Sequence, residues 1–191
     1  MDTNLKSEKR NLRKFLLDRR KELSLDYDKK NNSHIHIKTF LENIEGCQIG
    51  SYHSFRNEIS TISIHELLFS LGFEISLPCI NDKDQNMIFR NWKVEDKLVK
   101  NQYGILQPKD DAGESQPTIV IVPLVGFSIS GYRLGYGGGY YDRFIDERNK
   151  MNQITTIGLG YSFQEVNNLP YEPHDQKLNW ILTEKYLYKV T

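Results

Sequence analysis

The sequence predicts a three-layer α/β/α sandwich around an open, mostly parallel, Rossmann-like sheet. Short apolar runs rich in β-branched residues alternate along the chain with segments of helical periodicity, which is the pattern of an α/β fold. Polar turns after the apolar runs indicate a crevice at the carboxyl ends of the strands. The chain has 191 residues, a length that one hydrophobic core can serve, so residues 1–191 are expected to form a single domain.

The composition is that of a globular protein with no bias towards nucleic acid or membranes. The 25 basic residues are balanced by 25 acidic ones, and hydrophobic residues make up 38%, so no general polyanion-binding surface is expected. The sequence has no apolar stretch of membrane-spanning length and no signal-peptide pattern, which predicts a cytoplasmic protein. Cys47 and Cys79 lack the spacing of a metal or redox motif, so we expect two reduced thiols.

The first predicted helix, residues 7–23, has an apolar side and a basic side. Its apolar positions recur at helical spacing; they are Leu12, Phe15, Leu16 and Leu23. Lys9, Arg13 and Arg20 project together from one side, and a basic side of this kind usually faces solvent. Ser7 is the expected N-cap of this helix.

The remaining elements follow from the same signals. Helical periodicity predicts helices at residues 27–41, 61–71 and 140–150. Runs of β-branched or alternating residues predict strands at residues 47–55, 73–80, 118–122, 154–161 and 178–182. Residues 87–94 and 103–106 are expected to form smaller strands or an excursion from the main sheet, after a polar turn at residues 81–86.

A glycine loop stands between an apolar strand and the start of a helix. Gly135, Gly137, Gly138 and Gly139 permit positive φ and let backbone N–H groups approach a ligand closely. The helix N-terminus behind them favours a bound phosphate, and Arg133 offers a charge-assisted hydrogen bond. The alternative is a plain glycine turn, although a turn does not need four glycines within five residues. The loop matches neither a Walker-type loop nor a dinucleotide fingerprint.

Asp142, in the first turn of the helix behind the loop, has two interpretations. A carboxylate there interacts favourably with the helix dipole and needs no other role. Beside bound phosphates, however, it would repel them unless a Mg²⁺ ion is shared between the carboxylate and the phosphate oxygens. A nucleoside triphosphate with magnesium is therefore the first ligand that we predict.

Residues 131–143, Gly-Tyr-Arg-Leu-Gly-Tyr-Gly-Gly-Gly-Tyr-Tyr-Asp-Arg, resemble the signature of the 5-formyltetrahydrofolate cyclo-ligases, also called methenyltetrahydrofolate synthetases. The resemblance covers nearly the whole chain in the family's order, through residues 9–13, 51–58, 103–108, 157–161 and 170–183. It implies a Rossmann-like fold. It also implies ATP-dependent cyclisation of 5-formyltetrahydrofolate to 5,10-methenyltetrahydrofolate, with release of ADP and phosphate, through a phosphorylated formyl intermediate.

The resemblance further implies which residues bind the ligands. Those implied for ATP are Lys9, Arg13, Arg133, Leu134, Gly135, Tyr136, Gly137, Gly138, Gly139, Tyr140 and Tyr141. Asp142 and Asp175 are implied as ligands of Mg²⁺, an ion that prefers oxygen. His53 and Glu58 are implied for the folate, and the Glu58 carboxylate can accept two hydrogen bonds from the aminopyrimidine edge of a pterin. The residues alone leave open a helix-capping role for Glu58 and a half-buried strand position for His53.

Other basic residues of the first helix are assigned to solvent: Arg10, Lys14, Arg19 and Arg20. The sequence departs from the usual family pattern at Ser128, where many members have Asp, and at Gln107, where many have Glu. Both departures weaken claims about supporting roles rather than about the reaction.

Two other classes of function stay open. A non-catalytic member of this fold would bind nucleotide or RNA through the basic first helix, but Arg133, Asp142 and Asp175 are all present. A sugar-phosphate isomerase or acyl-transfer enzyme on a similar sheet is disfavoured, because no carboxylate nucleophile stands in a glycine-flanked loop. The expected partners are a reduced formyl folate and ATP, with no nucleic acid and no membrane, and the protein is expected to be a monomer.

Overall fold

The computed structural model describes residues 2–44, 47–80, 86–151 and 154–191. The helices are α1 (Asp2–Asp28), α2 (Ser33–Leu41), α3 (Ile62–Ser70) and α4 (Tyr140–Met151), with a 3-10 helix at Ser162–Gln164. The strands are β1 (Gln48–Gly50), β2 (Glu74–Ile80), β3 (Met87–Trp92), β4 (Val99–Lys100), β5 (Leu106–Gln107), β6 (Glu114–Ser115), β7 (Ile119–Pro123), β8 (Gly126–Phe127), β9 (Arg133–Leu134), β10 (Thr155–Leu159), β11 (Trp180–Leu182) and β12 (Leu187–Lys189). The turn predicted at residues 81–86 lies, except for residue 86, outside the described residues.

Eight of these strands form one sheet, in the order β12-β11-β10-β7-β1-β2-β3-β6. The central strands β11, β10, β7, β1 and β2 are parallel. Antiparallel pairs close both edges, through β12 on one side and through β3 and β6 on the other. The prediction of a mostly parallel sheet is confirmed. Two hairpins, β4–β5 and β8–β9, stand apart from this sheet.

Helices cover both faces of the sheet. Along β7, Ile121 lies in an apolar cluster with residues of α2 and α3, whereas its neighbour Val122 lies in a second cluster with Ile145 of α4. Ile121 and Val122 are fully buried, and burying a side chain of this kind contributes about 1.5–3 kcal/mol. Successive residues of a strand point to opposite faces, so β7 supplies both apolar layers of the predicted sandwich.

Helix α1 is longer than predicted. It continues from Asp2 to Asp28, so Ser7 does not cap it, and Tyr27 belongs to α1 rather than to α2. The break comes after Asp28, where the Asn31 side chain accepts hydrogen bonds from the Ser33 N–H (3.1 Å) and the Ser33 hydroxyl (2.6 Å). A short polar side chain that satisfies free N–H groups in this way favours a new helix start, and α2 begins at Ser33.

The assignment of the two sides of α1 is wrong in part. Lys9, Leu16 and Arg20 are all buried, and Arg20 is only 1% exposed, whereas Phe15 is 59% exposed. Positions 9, 13, 16 and 20 follow a helical repeat of three or four residues, so they lie in one stripe. This mixed basic and apolar stripe faces the protein, and Phe15 points away from it.

Two smaller predictions can be compared directly with the structure. Cys47 and Cys79 are both free thiols. None of the helices in the described parts of the chain has the length and apolar character that crossing a membrane requires.

Candidate active site

Helix α1 lies across the region beyond the carboxyl end of β7. Gly126 makes room for it, since a Cβ atom at that position would lie 2.5 Å from Cδ1 of Leu16. One turn further on, Arg20 Nη1 donates to the carbonyl oxygen of Leu124 at 3.1 Å. Together, Gly126 and Leu124 fix the stripe of α1 against the segment that follows β7.

The glycine loop leaves β9 and ends where α4 begins, as predicted. Positive φ occurs at Gly137 (99°) and Gly139 (67°), so the structure uses the backbone freedom of glycine at those two positions. Gly138 is needed for space instead, because a Cβ atom there would lie 2.6 Å from the Tyr140 ring. Arg13 Nε donates to the carbonyl oxygen of Gly135 at 2.6 Å. Helix α1 therefore contacts the loop directly.

Arg133 is buried and forms an ion pair with the half-buried Asp142 at the start of α4. Arg133 Nη2 donates to Asp142 Oδ1 at 2.7 Å, and Nη1 donates to the carbonyl oxygen of Gln176 at 2.7 Å. Burial lowers the pKa of Arg133, and Asp142 opposes that effect. Asp142 Oδ1 also accepts the N–H of Gln176 at 3.1 Å. The first turn of α4 is thus joined to the loop that carries Asp175.

Lys9 lies between two carboxylates of that loop. Its Nζ atom is 2.7 Å from Glu172 Oε2 and 2.5 Å from Asp175 Oδ2. Burial acts to lower the pKa of Lys9, but the hydrogen bonds to Asp175 and Glu172 together raise it. Glu172, His174 and Asp175 each offer a ligand atom, and these atoms lie within 4.8 Å of one another. This is a donor set that suits a cation.

Glu58 is held by a tight turn rather than by the start of α3, which begins at Ile62. Arg56 (φ 48°) and Asn57 (φ 61°) both have positive φ, as in a type I′ turn. The N–H of Glu58 donates to the Phe55 carbonyl at 3.1 Å, and the N–H of Phe55 donates to Glu58 Oε2 at 2.9 Å. The turn therefore directs the carboxylate back over its own backbone and inwards.

The surroundings of Glu58 are buried and rich in hydroxyl groups. Burial raises the pKa of Glu58 to about 7, while Arg20 and hydrogen bonds from Phe55 and Tyr136 oppose the rise. The hydroxyls of Tyr52 and Tyr141 are buried and have no hydrogen-bond partner among the described residues. Because a buried hydroxyl is normally hydrogen-bonded, these two groups indicate a place where a polar ligand binds.

The structure brings the predicted residues into two adjoining groups. The first consists of Lys9, Arg13, the glycine loop with Arg133, Asp142 and Asp175. The second is centred on Glu58. His53 is half-buried. Burial of His65 lowers the pKa of that residue to about 4, and the nearby His53 lowers it further.

Sequence reasoning missed two residues and assigned a third wrongly. Glu172 pairs with Lys9. The sequence signal for this residue was its position three residues before Asp175, in the same proline-containing loop. Tyr52 carried no signal beyond its position after β1. Arg20 was assigned to solvent, yet it is buried and donates to the Tyr136 hydroxyl. Arg19 is exposed as predicted.

The two departures from the family pattern have structural roles here. Gln107 Oε1 accepts hydrogen bonds from the Ile80 N–H (3.3 Å) and from Asn101 Nδ2 (3.1 Å), which attaches the β4–β5 hairpin to β2. Ser128 Oγ lies 2.9 Å from Ser130 Oγ. Neither side chain belongs to the two groups described above.

Comparison with known proteins gives a consistent result. A model of the 5-formyltetrahydrofolate cyclo-ligase family matches residues 5–184. The 5-formyltetrahydrofolate cyclo-ligase of Haemophilus influenzae is 33% identical over 152 residues, which cover 77% of this chain and 81% of that protein. The Escherichia coli K12 protein of the same name is 31% identical over 141 residues, covering 71% and 77%. The solved 5,10-methenyltetrahydrofolate synthetase of Mycoplasma pneumoniae superimposes with a TM-score of 0.70 at 25% identity, covering 92% of this chain and 98% of that one.

Proposed function

The chain belongs to the 5-formyltetrahydrofolate cyclo-ligase family, and from that premise we propose how its two groups of residues perform the family's reaction. The protein is a ligase that converts 5-formyltetrahydrofolate to 5,10-methenyltetrahydrofolate with ATP. The observation that supports the residue assignments is the position of Tyr136, a residue of the glycine loop, beside the buried Glu58 carboxylate. We assign the loop to the phosphates and the Glu58 group to the pterin.

ATP binds with its phosphates on the glycine loop. The N-terminus of α4 carries a partial positive charge, which attracts an anion at this point. Arg13 already lies on the loop, 2.6 Å from the Gly135 carbonyl oxygen, and Lys9 and Arg133 are close to it through their carboxylate partners. Three cationic side chains at this loop favour a bound triphosphate through charge-assisted hydrogen bonds.

Asp142 and Asp175 hold Mg²⁺ when the nucleotide is bound. Both offer carboxylate oxygens, which this ion prefers. Asp175 already has a cationic group against it, Nζ of Lys9 at 2.5 Å, and Asp142 has the guanidinium of Arg133 at 2.7 Å. These cationic neighbours support a cation site at the two carboxylates, and a bound Mg²⁺ would supply positive charge there for the phosphates.

The folate binds at Glu58. Its ionised carboxylate accepts hydrogen bonds from the aminopyrimidine edge of the pterin. The hydroxyls of Tyr52 and Tyr141 have no partner among the described residues and lie near Glu58, so we assign both to other polar atoms of the folate, although the resemblance implies Tyr141 for ATP. We assign His53, which is half-buried after β1, to the same ligand. The buried setting makes each matched hydrogen bond selective, because a mismatched donor left unpaired costs about 1–3 kcal/mol.

The reaction needs positioning rather than a protein nucleophile. The formyl oxygen of the folate attacks the γ-phosphorus of ATP, and the bond to the leaving ADP oxygen breaks. The N10 amine then attacks the formyl carbon and loses its proton, and phosphate leaves with the carbon–oxygen bond. Lys9, Arg13 and Arg133 stabilise the charge on the transferred phosphoryl group, and the loop orients it towards the folate.

The direct test is the absorbance of methenyltetrahydrofolate formed from 5-formyltetrahydrofolate. Product is expected only when ATP and Mg²⁺ are both present. Product formation without ATP, or none with it, would contradict the proposal. The balanced charge of the chain supports a role with small molecules and without nucleic acid, and we place the enzyme in the cytoplasm as a monomer.

A further inference from the structure

Glu172 is a largely buried carboxylate to which the proposed reaction assigns no role. Its side chain is 14% exposed, and its Oε2 atom lies 2.7 Å from Nζ of Lys9. Asp175 supplies a second carboxylate, with Oδ2 2.5 Å from the same Nζ atom. The Lys9 side chain is itself only 10% exposed. Glu172 and Asp175 therefore hold one nearly buried ammonium group between them.

We propose that Glu172 is a positioning residue for Lys9, which fixes the ammonium so that its remaining N–H donor meets a phosphate oxygen of ATP. An ammonium group has three donors, and the carboxylates of Glu172 and Asp175 engage two of them. This inference rests on the proposed function, which assigns Lys9 to ATP and Asp175 to Mg²⁺.

The loop that carries Glu172 is held by its own hydrogen bonds. The N–H of Glu172 donates to Asp175 Oδ2 at 2.7 Å, and the N–H of Asp175 donates to the Glu172 carbonyl oxygen at 3.0 Å. Pro170 and Pro173 lie on either side of Glu172 and restrict the backbone there, because the proline ring fixes φ. The carboxylate that receives Lys9 thus belongs to a restricted segment, as a positioning role requires.

Charge explains why Lys9 needs Glu172 in addition to Asp175. Asp175 Oδ2 already accepts hydrogen bonds from Lys9 and from the Glu172 N–H, whereas the Oδ1 atom has Nε2 of His174 at 3.9 Å. We therefore assign Oδ1 to Mg²⁺. A divalent cation at that oxygen would repel the nearby ammonium, since charges a few ångströms apart interact strongly in a partly buried site. The negative charge of Glu172 offsets this repulsion and keeps Lys9 in place.

The test uses Glu172→Gln, which keeps the shape of the side chain and removes its charge. Calorimetry gives the Kd of a non-hydrolysable ATP analogue with Mg²⁺, and steady-state kinetics give the KM for 5-formyltetrahydrofolate. Analogue binding is expected to weaken at least about fivefold, within the range of coupling between contacting residues, while the KM for the folate changes less than about twofold. The matched control is Glu165→Gln, because Glu165 also accepts a hydrogen bond, from the Tyr186 hydroxyl at 2.9 Å. This pair lies outside both groups of site residues, so the control is expected to keep the wild-type values.

A double-variant cycle shows whether Glu172 acts through Lys9. In a Lys9→Gln background, Glu172→Gln is expected to change the Kd of the analogue less than about twofold, because the cation that it positions is gone. An equal loss of affinity in both backgrounds, or no loss in Glu172→Gln alone, would overturn the proposal. An equal weakening of ATP analogue and folate, together with a lower free energy of unfolding in urea, would show that Glu172 only supports the fold of the loop, and it would overturn the proposal as well.

The Lys9→Gln variant separates failure of this proposal from failure of its premise. If Lys9→Gln alone leaves the Kd of the analogue unchanged, Lys9 does not bind ATP, and the role of Glu172 falls with that assignment. If Lys9→Gln weakens analogue binding and Glu172→Gln does not, Lys9 keeps its assignment and the positioning role of Glu172 is wrong.

Discussion

Replacing Glu58 by Gln is expected to stabilise the protein above pH 7. Burial raises the pKa of Glu58 from 4.5 to about 7, and at about 1.4 kcal/mol for each tenfold change the ionised carboxylate costs about 3 kcal/mol. Glutamine is uncharged and avoids this cost. Its hydrogen bonds to Phe55 and Tyr136 are weaker than those of the carboxylate, which lowers the stability of the variant by about 1 kcal/mol. The net gain in the free energy of unfolding is therefore about 2 kcal/mol at pH 8.

The ionisation of Glu58 determines how the stability of the wild type changes with pH. Below pH 4.5 the carboxyl of Glu58 is protonated in the folded and unfolded states and adds no pH dependence. Between pH 4.5 and about 7 the unfolded chain releases this proton before the folded protein does, so wild-type stability falls as pH rises. Above that range the loss is complete. Glu58→Gln is expected to lack this decline.

Urea unfolding at pH 5 and pH 8 measures both quantities. The matched control is Glu66→Gln, since Glu66 is exposed on α3 and the same chemical change there should leave the difference from the wild type equal at both pH values. If the difference between Glu58→Gln and the wild type is also equal at pH 5 and pH 8, then the ionised Glu58 carboxylate does not destabilise the fold. The reasoning from burial would then be refuted.

The same substitution should weaken folate binding, because one acceptor becomes a donor that faces an aminopyrimidine N–H. A mispaired buried group costs on the order of 1–3 kcal/mol, which corresponds to roughly a five- to 150-fold loss of apparent folate affinity. ATP affinity should hardly change. Steady-state titration of both substrates checks this, and a defect confined to ATP would show that Glu58 belongs to the other site.

The remaining predictions concern the loop, the metal and Arg20. Gly137→Val should abolish binding of a non-hydrolysable ATP analogue in calorimetry, because a β-branched residue resists a φ of 99°. Unchanged affinity in a folded variant would show that the loop is a simple turn. Asp142→Asn should raise the Mg²⁺ concentration for half-maximal activity, since an amide is a weaker ligand for a hard cation, and an unaltered titration curve would leave Asp142 with its Arg133 pair alone. Arg20→Leu should lower stability in urea unfolding, because the buried Arg20 guanidinium donates to the Leu124 carbonyl and to the Tyr136 hydroxyl, and a hydrogen bond from a charged group contributes about 1.5–3 kcal/mol. Lys21→Leu, at an exposed neighbouring position, should change it far less.

Much of the sheet and the glycine loop could be predicted because their signals are local. The run at residues 118–122 lies between two prolines and is β-branched, and β7 (Ile119–Pro123) differs from that prediction by one residue at each end. The start of α4 at Tyr140 follows from the end of the glycine run. These signals depend on neighbouring residues in the sequence, and no tertiary contact overrides them.

The first helix could be predicted only in part because its inner stripe depends on distant residues. Arg20 is stabilised by the Leu124 carbonyl and the Tyr136 hydroxyl, both more than 100 residues away in the sequence. An arginine is almost never fully buried without partners, so the sequence of the helix alone predicts that Arg20 is exposed to solvent. Only the fold shows that partners are present, and the same holds for the contact of Lys9 with Glu172.

The contacts of Lys9 have a consequence for how the protein reaches its active form during synthesis. Lys9 and Asp175 are separated by 166 residues in sequence. At a translation rate of about 5–20 residues per second, helix α1 leaves the ribosome roughly 8–30 s before the loop that contains Asp175. The partners of Arg20 in the segment after β7 follow more than 100 residues behind it, so for most of that interval the stripe lacks them. Docking of α1 is therefore a late step of folding, and the proposed nucleotide site is completed last, when the final segments of the chain pack against a helix that was made first.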